Sequence, residues 1–436
     1  QLPYVWLANA FHNTGLRSVV RSCYGRWTDD PATGNTAPPF DPSDPDPTCL
    51  RGPARETRVA TLFEDGFAYP QYAKISAAVD QEFTPSLSAS VGVIFSHSIN
   101  QVLLRELNIH PQDKALGPLR GYGGTARTYF GTPSDAGFSP IRLLPGYDQV
   151  LLVTNGGGDR SWSATAELRG SLGERLAFQA GYAYARSYDR MSLASVDLIA
   201  NFGQTPTHGD PNDPPLTPSN FDRPHKVVLA LYGVAIPRLE STEISLLYTG
   251  ESGPPFSYVY RGDYNGDGYP SLGPAFDRNN DLMYVPLDPF EVPSGFGTSA
   301  RLQAALDTDA CLQEFRGTIM LRNHCRAPWQ HRLDLRLAHA ARVRGAAVRL
   351  EADMINVLNL LDGDWGLVNS IGPTSSLLEP FQRVPLTGEL LSDWAGGILP
   401  FRNQAGEMVT PEPWTAAAPA SQWQAQLGVR ITLAGR

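Results

Sequence analysis

The chain predicts an all-β fold, a transmembrane antiparallel β-barrel, and three observations predict it. Apolar and polar residues alternate with a period of two over strand-length segments, the signature of a sheet with one apolar and one wet face. No run of about 18 apolar residues exists that could cross a bilayer as a helix. Short turns alternate along the chain with long polar excursions, as expected when tight periplasmic turns lie on one side of a membrane and extended extracellular loops on the other.

The segments follow in order. Residues 1–70 read as mostly irregular, an extracellular loop region and strand entry, with the acidic, proline-rich tract Asp41-Pro-Ser-Asp-Pro-Asp-Pro47, which cannot add to a ladder. Residues 71–436 read as barrel strands with long loops near 109–146, 190–220, 261–329 and 371–419. Tyr72–Phe83 and Leu87–Leu107 face each other across Thr84-Pro85-Ser86, and a further strand is expected at Gln149–Thr154. Ser161–Leu172 and Leu176–Tyr188 form the clearest hairpin, turning at Gly173-Glu174. Lys226–Ile236 and Ser241–Tyr260 follow, then a short helix near Ser299–Leu306, then His331–Val343 and Ala346–Leu358. The last strand begins near Gln422.

The alternation assigns faces. Trp162, Ala164, Ala166, Leu168, Phe178, Ala180, Tyr182, Leu427, Val429 and Ile431 are expected to meet lipid. Ser163, Thr165, Glu167, Arg169, Gln179, Gln424, Gln426 and Arg430 are expected to face the lumen. Trp162, Tyr182, Tyr184, Tyr232, Tyr248, Tyr258 and Trp423 lie near strand ends, where aromatic side chains form interfacial girdles. Lumenal carboxylates such as Glu167 and Asp353 could imitate an acid/base pair, but under barrel patterning they read as ion-pair members lining a wet interior.

Composition narrows the function. Net charge is −9 and the isoelectric point is near 5.4, which disfavours nucleic acid as a partner. Mean hydropathy is −0.24, a value that transmembrane strands permit because only alternate residues are apolar. The chain begins at Gln1 without a basic or apolar leader, so a signal peptide has been removed or lies outside this sequence. Four cysteines fall into two local pairs, Cys23 with Cys49 and Cys311 with Cys325. Even, local spacing in loop-like sequence favours disulfides and an oxidising compartment, the alternative being four independent thiols.

One motif suggests a metal. Asp263, Asn265 and Asp267, followed by Gly268, have the alternate spacing of a calcium loop, and a second cluster, Asp277, Asn279 and Asp281, could complete the oxygen shell. The position of an EF-hand's bidentate glutamate is Pro274, and a plain acidic turn would use the same residue types. Calcium, in a structural role, is the expected cofactor. Enzyme signatures are missing: there is no P-loop, no dinucleotide-binding glycine fingerprint, no H-E-x-x-H and no G-x-S-x-G. His324 and His331, separated by Pro328-Trp329, have poor zinc spacing. No catalytic residues are expected, and ligand-binding residues cannot be named from spacing.

A series of short motifs gives a family resemblance. Tyr248-Thr-Gly-Glu-Ser-Gly-Pro-Pro-Phe-Ser-Tyr258, Asp263-Tyr-Asn-Gly-Asp-Gly268 and Asn280-Asp-Leu-Met-Tyr-Val-Pro286 occur in order. Arg316-Gly317, Arg322-Asn323, Pro328-Trp329 and Leu333-Asp-Leu-Arg336 precede a strand, and Asp353-Met-Ile-Asn-Val-Leu-Asn359 leads to Asp364-Trp-Gly366. Together they resemble the barrel of Oar-like TonB-dependent receptors, from about Trp6 to the C-terminus. The resemblance implies a Gram-negative outer-membrane transporter that takes up a bulky extracellular ligand. Its implied partners are membrane lipid, an upstream plug domain of the same receptor and the TonB complex. About eleven strands are counted here, roughly half of what the resemblance implies, and unpaired edges in lipid are very costly. With no plug-like region or TonB-box-like segment, the chain reads as the C-terminal part of the barrel. It departs from the usual pattern at Leu433-Ala-Gly-Arg436, where outer-membrane barrels end on an aromatic residue. Two other readings stay open: a structural or adhesive outer-membrane protein without transport, and a secreted calcium-binding β-protein.

Overall fold

A computed structural model describes residues 18–20, 55–57, 59–111, 127–134, 137–173, 176–236, 239–260, 263–269, 280–287, 299–343, 346–370, 374–380, 398–400, 415–416 and 419–432. The longer strands are β1 Val59–Phe63, β2 Gln71–Thr84, β3 Leu87–Glu106, β4 Gln149–Gly156, β5 Arg160–Leu172 and β6 Leu176–Asp189. They continue as β7 His225–Ile236, β8 Leu239–Glu251, β9 Pro255–Tyr260, β10 Gln330–Val343, β11 Ala346–Ile355 and β12 Gln424–Thr432. Short helices α1 Leu198–Gly203, α2 Ser299–Thr308, α3 Ala310–Glu314 and α4 Val357–Leu361 lie in the connections. Among the described residues no helix is long and apolar enough to cross a membrane.

One antiparallel meander runs β2-β3-β5-β6-β7-β8-β10-β11-β12, each strand pairing with the next. Register follows directly from the period-two pattern, because a slip of one residue would turn every apolar side chain to the wet face. Phe178, Leu231, Leu246, Leu335, Met354 and Ala425 lie opposite one another across six strands. Ser245, Arg336, Asp353 and Gln426 form a parallel row on the other face. Among the described residues no second layer covers the apolar face: Ile75 is 71% exposed, Val79 69% and Leu427 83%. A continuous apolar surface of this extent has no stable place in water. At about 3.3 Å per residue, thirteen-residue β5 crosses a tilted apolar band about 25 Å tall. The apolar and polar faces of the meander strands are those that the alternation predicts.

The buried core lies elsewhere, in the long connections and in the last stretch of β3 with β4. Connections of only two or three residues join β2–β3, β5–β6, β7–β8 and β10–β11 at one end. Gly173 there has φ +66°, a left-handed conformation that suits glycine in a hairpin turn. At the opposite end two apolar clusters are packed. One joins Val102, Leu104, Leu151, Val153, Ile199, Phe202 and Tyr269. The other joins Phe256, Tyr258, Tyr260, Tyr264, Met283, Leu306, Leu312, Met320 and Cys325. The last stretch of β3, Gln101–Glu106, leaves the meander to pair with β4, which in turn pairs in parallel with β1.

Several expectations are corrected here. The strand expected over Ser241–Tyr260 breaks at Ser252-Gly253-Pro254. A Cβ on Gly253 would lie 2.0 Å from the Ala327 carbonyl oxygen, so the chain passes too close to its neighbour for any side chain. Beyond the break, β9 is buried and pairs with Cys325–Arg326 and Thr374–Pro380 instead of the meander. Tyr258 therefore belongs to the loop core, not to an aromatic girdle, and its hydroxyl donates to Asp309 at 2.6 Å. The strand expected to reach Leu358 ends at Ile355, because Asn356 adopts φ +57° and α4 follows. The irregular 1–70 region contributes β1. The excursion near 190–220 includes α1, capped by the Asp197 carboxylate accepting from the Ile199 amide. Those near 109–146 and 371–419 include short strands at Gly131–Ser134, Gly137–Pro140, Thr374–Pro380 and Ile398–Pro400.

Candidate functional site

Two arrangements carry chemistry. The first is the polar face of the meander, where charged residues of β7, β8, β10 and β11 stand in register. Arg336 meets Glu351 at 2.7 Å and Asp353 at 3.6 Å. Arg349 reaches Glu351 and Glu243 at 3.0 Å each, and Arg332 holds Asp334 through two bonds of 2.9 and 3.0 Å. Lys226 faces Glu251 at 3.6 Å, and Glu167 pairs with Arg169. Singly, exposed pairs of this kind contribute about 0–1 kcal/mol; as a network they hold long side chains flat against the wall of a wet interior. Glu167 and Asp353 thus sit in ion pairs, as expected.

On the apolar face, at the long-loop end, aromatic and histidine rings form a lateral row. Trp162 packs edge-on against Tyr184 at 5.1 Å. His225 lies 5.0 Å from Tyr184 and 5.7 Å from Trp329, and Trp329 stacks at 6.0 Å on His331. Tyr182 and Tyr248 bond to His225 and His331 at 2.7 Å each. Rings with an apolar body and a polar edge suit the lipid headgroup level. The sequence pattern identified the tyrosines and Trp162; the histidines and Trp329 join only through cross-strand register. His324 pairs with Glu314 at 3.0 Å.

The second arrangement is the acidic loop over 263–269 together with 280–282, in the long-loop cap. The fold brings Asp263, Asn265, Asp267 and Asp281 together; Asp277 and Asn279 lie outside the described residues. Asp263 accepts from the amides of Gly266 and Gly268 at 2.6 and 2.8 Å. Asp267 accepts from the Tyr269 amide at 2.9 Å and the Asn280 side chain at 2.6 Å. Asp281 accepts from the amides of Tyr264 and Asn265 at 2.7 and 3.2 Å. Burial pushes all three carboxyls up, Asp281 to about 7; repulsion from neighbouring carboxylates adds to it at Asp263 and Asp281, and Arg127 opposes it at Asp281. An all-oxygen donor set is the chemistry of a hard cation such as calcium. Yet each carboxylate oxygen already accepts an N–H bond. Among the described residues no three carboxylate, imidazole or thiolate groups are placed to hold an ion. As arranged, the four described side chains bond to backbone amides, to one another and to arginine rather than forming an ion cage, and the remaining two of the expected shell lie outside the described residues.

Sequence reasoning missed the groups opposite this loop. Arg127 reaches Asp281 at 3.2 Å with both side chains buried, and it also donates to the Leu282 carbonyl. Arg142 donates to the Asp267 carbonyl at 3.1 Å. Tyr269 donates to Glu106 at 3.0 Å, tying the loop to the end of β3. Separations of 154, 125 and 163 residues left no local signal for these contacts. Nearby, Cys311 and Cys325 are joined in a disulfide that fastens α3 to the strand beside β9; Cys23 and Cys49 lie outside the described residues.

The outer membrane beta barrel domain family matches residues 10–362. Among solved structures, the outer membrane transporter YddB from Escherichia coli aligns at 9% identity and a TM-score of 0.36. The alignment covers 70% of this chain and 30% of that one. No curated protein matches.

Proposed function

This chain belongs to the outer membrane beta barrel domain family and resides in the outer membrane, and from that premise we propose that it is the C-terminal barrel part of a TonB-dependent receptor for energised uptake of a bulky ligand. The observation that carries the reading is the two-faced meander: an uncovered apolar face, and behind it an ion-paired polar face suited to a water-filled lumen. Among the described residues β2 and β12 each pair on one side only. In lipid such edges demand partners, and further strands of a longer receptor would supply them. An upstream plug and the TonB complex would then gate and energise the lumen, in keeping with the ordered motifs from Tyr248 to Gly366.

The test uses cells expressing the full-length gene, with and without TonB, supplied with peptides, glycans or metal chelates as sole nutrient sources. Gene-dependent growth that disappears without TonB supports transport. Gene-dependent binding that is unchanged by TonB loss, with no growth advantage, would assign the protein to the adhesive class.

A further inference from the structure

Two arginines contact the acidic loop, one at the Asp281 carboxylate and one at the Asp267 carbonyl. Both come from one segment: Arg127 stands just before Phe130, whose amide donates to the Asn265 carbonyl at 2.7 Å, and Arg142 lies beyond it. Arg127 is 4% exposed and Asp281 is fully buried. Its guanidinium also lies against two rings, 5.6 Å from the centroid of Tyr260 and 5.4 Å from that of Tyr264. Arg142 crowds Gly268 so closely that a Cβ there would collide with its guanidinium.

We propose that Arg127 is a built-in counter-ion that closes the acidic loop without a metal, and that removing it converts the loop into a divalent-cation site. The charges support this. Fully ionised, Asp263, Asp267 and Asp281 would set three negative charges against two guanidiniums, one on the Asp281 carboxylate and one on the Asp267 carbonyl, and burial opposes that ionised state. Without Arg127 the ionised loop would carry an excess of two, so a divalent cation, whose charge matches it, would be what draws the carboxyls into that form. The released Asp281 oxygen would regain a free lone pair, and the buried Oδ1 of Asn280, whose amide nitrogen donates to Asp267, has no hydrogen-bond partner. Two carboxylates and an amide oxygen are hard donors of the calcium class. Arginine suits the native role because it stays charged when buried, donates along a fixed plane and stacks on aromatic rings. As a consequence Arg127 and Arg142 form one unit with residues 263–269 and 280–282 in any calcium concentration.

The experiment uses purified full-length protein in detergent, with terbium as the probe ion and tyrosine excitation, since Tyr260 and Tyr264 would sensitise emission from an ion in this loop. Wild-type protein should give no saturable emission, and its proteolysis within 263–287 should be the same in calcium and in chelator. In Arg127→Gln, cleavage of that stretch in chelator should rise by about a hundredfold, as expected for a buried charge left unpaired. Calcium should restore protection, and terbium emission should appear and be competed away by calcium. Arg127→Lys should keep most of the wild-type protection. The double variant Arg127→Gln/Asp281→Asn, which removes both charges, should again be indifferent to calcium. Saturable terbium emission or chelator sensitivity in wild-type protein would overturn the proposal. So would an Arg127→Gln variant that calcium cannot protect, or a double variant cleaved as fast as the single one.

Discussion

Replacing Ala166 by arginine would place a charge at the middle of β5 on the uncovered apolar face. Ala166 lies opposite Val91 on one side and Tyr182 on the other, and those neighbours are 56% and 43% exposed. No acidic group shares that row, so the guanidinium would have to enter hydrocarbon or distort the strand to reach water. A lipid-facing arginine near the bilayer midplane costs about 2–4 kcal/mol, or about a 30- to 900-fold loss in the folding equilibrium. The adjacent Thr165 is opposite Gly92 and Ala183 on the polar face. Thr165→Arg would send the same charge into the wet interior, near the Glu167 carboxylate, at a cost within about 1 kcal/mol. The assay is denaturant unfolding of the full-length receptor in lipid vesicles, with the heat-modifiable gel shift of folded barrels as an independent readout. Equal costs for the two substitutions, or a larger cost for Thr165→Arg, would refute the facing of the strands and with it the lumen.

Three further outcomes follow from the loop cap. Cys325→Ser opens the link to Cys311, which spans 14 residues; in the chain-entropy picture this removes about 3 kcal/mol of local stability, read as faster proteolysis within 299–326 with the strands intact. Gly253→Ala sets a methyl 2.0 Å from the Ala327 carbonyl oxygen; two backbone segments must part, at about 1–3 kcal/mol, and cap protease sensitivity should rise without loss of the gel shift. Asp159 is raised to about 6 by burial first and by the nearby Asp189 second. Its folded form thus binds a proton that the unfolded form has already lost, so cap stability should fall as pH rises from about 4 through 6 and level off above. A carboxyl so displaced contributes about 3 kcal/mol at most. Hydrogen exchange at the Ser98 and Arg190 amides, corrected for intrinsic rates, should show the slope, and Asp159→Asn should abolish it.

The sequence by itself determined the meander, its two faces and the membrane. These follow from alternation, which is a local property: each residue's face is set by its neighbours two positions away, and Ser161–Leu172 or Arg332–Arg336 carries that information alone. The tight turns at one end are local for the same reason. The tertiary structure alone decided what the long connections do. Tyr248 and Tyr258 look alike in sequence, both aromatic residues near a strand end. One joins the interfacial row and the other is buried, because Gly253 lets the chain press against Ala327 and leave the sheet. Likewise the D-x-N-x-D-G spacing showed that carboxylates would gather, but not what would neutralise them. That depended on Arg127, 154 residues from Asp281, and a contact over such a distance leaves no periodicity for a sequence to display.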